Sequence, residues 1–161
     1  MRNRGFSLLE TIVAIGVLTF VMTAVFTLVS LGVRSMSEAT NQLTAYFLAS
    51  EGLEYIRNVR DGNVLSARPA FDNLYVCETY GCVVDPLFSN GAGQIASCSG
   101  GCPRLNYESD PNSTRSGTYN HDTESSTNLE TIFTRQILMT TLPSGHEAKV
   151  RSIVTWRQFP G

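Results

Sequence analysis

The sequence predicts an α+β chain. A long N-terminal helix, membrane-spanning in its first half and amphipathic in its second, packs against a small C-terminal antiparallel β-sheet. Three observations predict this. A basic leader (Met1-Arg2-Asn3-Arg4) ends in Gly5, and the apolar run behind it carries one carboxylate, Glu10, and no other charge until Arg34. Helical periodicity persists beyond Arg34. Near the C-terminus, two β-forming stretches flank the turn sequence Pro143-Ser144-Gly145-His146.

The first element is the membrane helix. Residues 11–33 cover roughly 34 Å at about 1.5 Å per residue, enough for a hydrocarbon core of about 30 Å. Thr11, Thr19, Thr23, Thr27 and Ser30 are tolerable there, because each hydroxyl can bond a carbonyl one turn back. Arg2 and Arg4 precede the run, which predicts a cytoplasmic N-terminus and a body outside. A removed secretory signal fits poorly. Its apolar region runs about 7–15 residues and ends in a small-x-small site, whereas this run is longer and no such site follows it. An acid at the bilayer centre costs about 2.5–3.5 kcal/mol on insertion scales. Glu10 therefore calls for a compensating partner.

The helix is expected to continue from Phe6 to about Arg60, with Met36, Ala39, Leu43, Phe47, Leu53, Ile56 and Val59 on one stripe. Exposing large apolar side chains costs about 1.5–3 kcal/mol each, so Leu43, Phe47, Leu53 and Ile56 are expected against a sheet. Ala45, Ala49 and Gly52 form a small-residue stripe beside them. Glycine costs a helix up to about 1 kcal/mol relative to alanine, which predicts close approach at Gly52. Glu54 with Arg57, and Arg57 with Asp61, are spaced for surface pairs. Asp61-Gly62-Asn63 is expected to end the helix. Residues 131–142 and 147–157 then form a hairpin. Ala148, Val150, Ser152, Val154 and Trp156 share one face, and Lys149, Arg151, Ile153, Thr155 and Arg157 the other. Residues 74–77 and 81–84 are candidates for short strands.

The chain has 161 residues and a formal net charge of -2, which gives no global pull toward nucleic acid or anionic lipid. Residues 85–128 are crowded with Ser, Thr, Asn, Gly and Asp. Four cysteines lie there or beside it, as Cys77-x4-Cys82 and Cys98-x3-Cys102. The spacing admits a zinc site or two disulfides, in any of three pairings. An extracytoplasmic body favours disulfides, and pairing within each couple is the preferred reading.

No catalytic constellation is present. His121 and His146 sit in polar or turn contexts without a nucleophile beside them and are expected at the surface. The glycines at 91, 93, 100 and 101 lack the lysine and helix start of a phosphate-binding loop. Asp110, Asn112, Asp122 and Glu124 match no calcium-loop spacing and read as solvated turns. No metal or cofactor is expected. Lys149, Arg151 and Arg157 share a strand face, which Arg135 could join, and such a stripe is a candidate contact for DNA phosphates.

The residues Arg4-Gly5-Phe6-Ser7-Leu8-Leu9-Glu10, with the apolar run behind them, resemble the N-terminus of type IV pilin-like proteins, a family that includes minor pilins and the pseudopilins of type II secretion. The likeness is strong over about the first 35 residues. Residues 45–61 and the closing strands are also similar to minor pilins; the middle of the chain is not. The resemblance implies a pilin-like fold and a structural subunit rather than an enzyme. It implies cleavage between Gly5 and Phe6, N-methylation of Phe6, and a role for Glu10 in filament assembly. The implied partners are other pilin or pseudopilin subunits, a prepilin peptidase/methyltransferase, an inner-membrane assembly platform and membrane lipid. The implied location is the cytoplasmic (inner) membrane and then a filament. The expected division is a leader at 1–5, an assembly helix at 6–33, its amphipathic continuation at 34–61, and an extracytoplasmic domain at 62–161. The absence of proline from the helix favours a minor pilin or pseudopilin. The rival reading is a membrane-anchored binding domain, an adhesin or DNA-capture module, that never polymerises.

Overall fold

The computed structural model describes residues 7–86, 94–122 and 126–157. The chain divides into two compact units, Met1–Gln42 and Leu43–Gly161. Helix α1 (Leu8–Leu65) supplies the described structure of the first unit and one layer of the second. The other layer is an antiparallel sheet of six strands among the described residues: β1 (Cys82–Asp85), β2 (Gln94–Ser97), β3 (Arg104–Glu108), β4 (Tyr119–Asn120), β5 (Asn128–Thr141) and β6 (Ala148–Trp156). The strand order is β2-β1-β5-β3-β4, with β6 on β5. This is the α+β architecture of a long helix on a small antiparallel sheet.

In the first unit every described side chain outside Glu38 and Asn41 is exposed. None of its described apolar residues is buried. The hydroxyls are satisfied locally: Thr11 donates to Leu8 O at 2.8 Å, Thr19 to Gly16 O at 2.9 Å, Thr27 to Thr23 O at 2.9 Å and Ser30 to Phe26 O at 2.9 Å. Each of these hydroxyls thus returns its proton to its own helix, which makes it tolerable in hydrocarbon.

In the second unit α1 buries Ala45, Leu48, Gly52, Ile56 and Asn63, a stripe at three- and four-residue spacing. It is rotated from the stripe the sequence suggested. Leu43 and Phe47, expected in the core, are 58% and 61% exposed. The small-residue stripe decides the rotation. A Cβ at Gly52 would lie 2.9 Å from Ile137 Cδ1 and 3.2 Å from Arg135 Cδ, so the sheet meets the helix backbone there. Close approach at Gly52 turns Leu43 and Phe47 outward.

The helix also ends later than Gly62. Arg68 N–H donates to Asn63 O at 2.8 Å and Ala67 N–H to Val64 O at 3.0 Å, the paired bonds of a Schellman ending. Ala67, not a glycine, takes the left-handed position at φ 55. Buried Asn63 holds the following turn by donating to Ala70 O at 3.2 Å and Asp72 O at 2.8 Å. Of the two expected surface pairs, Glu54–Arg57 forms at 3.3 Å, while Asp61 pairs with Arg60 at 2.7 Å instead of Arg57.

Strand β5 is the axis of the sheet. Phe133, Arg135, Ile137 and Met139 point inward, and β6 lies opposite in continuous register from Phe133↔Trp156 to Thr141↔Ala148. The expected hairpin faces are those observed: Ala148, Val150, Val154 and Trp156 pack on the core, and Lys149, Arg151, Thr155 and Arg157 are exposed. A register shift separates Arg104↔Thr134 from Asn106↔Glu130. Thr131 repairs it, donating through Oγ1 to Leu105 O at 2.7 Å and accepting from Phe133 N at 3.2 Å. The strand expected at 81–84 runs over Cys82–Asp85. Tyr75–Cys77 is a 3-10 turn rather than a strand.

Two apolar clusters fill the space between helix and sheet. One gathers Ile56, Phe71, Leu74, Val84, Ile137 and Met139 around Cys77 and Cys82. The other joins Ala45, Leu48, Leu105 and Phe133. Between them, in sequence and in space, stands Arg135.

Candidate assembly site and the buried arginine clamp

The N-terminal site is built on the first turn of α1. Glu10 is the acidic residue of that turn, where unsatisfied N–H groups and the helix dipole favour an anion by about 0.3–1 kcal/mol. Its own N–H donates to Ser7 O at 3.0 Å. The carboxylate is exposed, and the side chains that follow it are apolar and uncovered. Gly5 and Phe6 lie outside the described residues. The geometry thus presents a single acid at the head of an apolar helix that is long and apolar enough to cross a membrane.

Residues 1–26 match the family model described as the prokaryotic N-terminal methylation motif. The match supports a type IV pilin-like prepilin. No curated protein and no solved structure matched the chain. The motif points to a structural protein, to other pilin subunits and to a prepilin peptidase in general. The exposed apolar helix is consistent with membrane anchoring and with a filament.

The cysteines fall into local pairs. Cys77 is bonded to Cys82 and Cys98 to Cys102, with Cα–Cα separations of 4.6 and 4.7 Å. Cys77 and Cys82 are fully buried. Gly81 lies inside the first loop at φ +74, and a Cβ there would meet Gln136 Cγ at 2.8 Å. The loop therefore needs glycine twice, for conformation and for space.

Arg135 does not join the outer basic stripe. It is fully buried and sits opposite Val154, so it faces the helix. Its Nη1 donates to Leu48 O at 3.1 Å and to Glu51 Oε2 at 2.6 Å, and its Nη2 donates to Val84 O at 2.6 Å. One guanidinium thereby ties α1, β1 and β5 together. The signal was present in the sequence, since Arg135 lies two residues from both Phe133 and Ile137 and shares their face.

His121, expected at the surface, is largely enclosed. Its backbone N–H donates to buried Asp85 at 2.8 Å, and neither ring nitrogen has a hydrogen-bond partner of good geometry. Burial, then the Arg135 charge, push its pKa down to about 4 against the opposing pull of Asp85 and the Arg104 backbone. Burial, then the Asp85 charge, raise the pKa of the Tyr55 phenol. Asp122 is also buried rather than a solvated turn residue. It is salt-bridged to Arg115 at 2.9 Å, and its carbonyl accepts from Asn106 and Asn128. Asp110 accepts from Asn112 N–H at 2.8 Å as a turn residue does. Glu124 lies outside the described residues. Among those described, no cluster of metal-ligating side chains is found.

Proposed function

We propose that the chain is a minor pilin or pseudopilin. It is cut after Gly5 on the cytoplasmic side, N-methylated at Phe6, stored in the cytoplasmic membrane, and drawn into a filament through residues 6–33. The observation that carries this reading is the methylation motif over residues 1–26, joined to an apolar helix whose side chains find no cover within the chain. Cleavage creates an ammonium at Phe6, four residues from Glu10. The two meet on one helix or between neighbouring copies, and their attraction grows as the dielectric falls. A methylated amine remains protonated, so the pairing survives the modification. Gly5 leaves the backbone open to the peptidase.

Glu10→Ala separates storage from assembly. The variant is expected to remain membrane-bound and to be lost from sheared filaments, as read by immunoblotting both fractions. Incorporation at the native level contradicts the role of Glu10. A native chain that never enters filaments supports the anchored binding domain instead.

A further inference from the structure

The cations of the second unit fall into two populations. Arg57, Arg60, Arg68, Arg104, Arg115 and Arg135 each pair with an acid. Lys149, Arg151 and Arg157 make no ion pair with any described residue. All three are exposed and lie on one face of β6 and its exit. Their neighbours across the hairpin are neutral: Thr140 opposite Lys149, Leu138 opposite Arg151, and Thr134 opposite Thr155. Arg104 stands on the far side of Thr134 in the same row. Together with Arg157, Thr134, Thr155, Ile132 and Trp156 it bounds a cleft of about 290 Å³. The acids beside the stripe are at its ends. Glu147 lies at the hairpin turn, the Glu78 carboxylate accepts from the N–H and Oγ1 of Thr141 at the same end, and Glu130 is held by Arg104 at 3.7 Å.

At about 3.4 Å per residue, Lys149 to Arg157 spans roughly 27 Å. The result is a line of positive charge rather than a compact pocket, and three of its four cations are arginines. Guanidinium groups match phosphate oxygens in pairs, and a linear stripe matches a linear polyanion. We propose that this face binds the phosphate backbone of duplex DNA through Lys149, Arg151 and Arg157, with Arg104 in the cleft. The proposal is independent of filament assembly.

The test is fluorescence anisotropy of a labelled DNA duplex with the full chain in zwitterionic micelles. Four phosphate contacts give a plot of log affinity against log salt with a slope of about -3 to -4. K149Q/R151Q should flatten that slope by about 2, and adding R157Q should flatten it further. No binding at low salt overturns the proposal, as does binding that the triple variant retains. Among the described residues β6 pairs only with β5, so its cations could instead guard a sheet edge against pairing with other chains. Self-association of the triple variant, with no duplex binding by the native chain, gives that result and overturns the proposal. So does binding to anionic-lipid vesicles without binding to the duplex.

Discussion

The two units solve the problem of apolar surface in opposite ways. In the second, Leu74, Val84, Leu105 and Ile137 are sealed between helix and sheet, and even an arginine is taken inside. In the first, Leu9, Ile15, Phe20, Phe26 and Leu31 are each more than half exposed. At about 1.5–3 kcal/mol for each large side chain, that exposure is untenable in water. The second unit carries its stabilising contacts within itself, whereas the apolar side chains of the first are exposed among the described residues, which is consistent with membrane anchoring and a filament. One chain thus holds a unit with a sealed core and a unit whose apolar side chains are exposed.

The largest expected effect lies at the junction of the two apolar clusters. Arg135→Ala leaves Glu51 and the carbonyls of Leu48 and Val84 without their donor, and should destabilise the second unit by about 3–5 kcal/mol. Arg135→Met should cost less, because it fills the space without burying a charge. Leu18→Ala in the first unit should leave the same urea transition unmoved, measured in micelles by near-UV circular dichroism. A shift as large as that of Arg135→Ala would break the contrast between the units.

Gly52→Val comes next. The added branch would press on Ile137 and Arg135, and overpacking of this kind costs about 1–3 kcal/mol. Gly16, whose Cβ position is open, should accept valine with little change in the same melt. The smallest effect concerns pH. With its pKa lowered from 6.5 to about 4 by burial and Arg135, His121 binds its proton more readily in the unfolded chain. Its contribution is complete above about pH 6.5 and is lost as pH falls toward 4. Urea midpoints at pH 7 and pH 5 should therefore differ more for the native chain than for His121→Phe.

The sequence made the architecture legible where a pattern ran long enough. The apolar run of α1 and the alternation of residues 147–157 each repeat one rule over many residues, and both elements stand as expected. The rotation of the helix on the sheet was less legible. Leu43 and Phe47 are larger than Ala45 and Gly52, yet backbone approach at Gly52 outranks side-chain size and puts the small residues inside. Asp122 and His121 were read as solvent-facing because they are polar, and Asn63 as part of the helix end. Each is enclosed because a backbone group beside it needs a partner, or has one, at 2.7–3.2 Å. Ala67 ends α1 in the left-handed region, where a glycine is the usual choice, so the nearby Gly62 misdirected the reading. The methylation motif over residues 1–26 was legible because it is local and depends on no distant residue.

On the proposed function, the first unit meets partners outside its own chain, and cleavage beside Glu10 supplies the charge it needs. The direct test is the intact mass and N-terminal peptide of the native polypeptide recovered from the cell envelope. The account predicts a chain that begins at N-methylated Phe6 and lacks residues 1–5. A polypeptide that retains Met1 to Gly5 contradicts it.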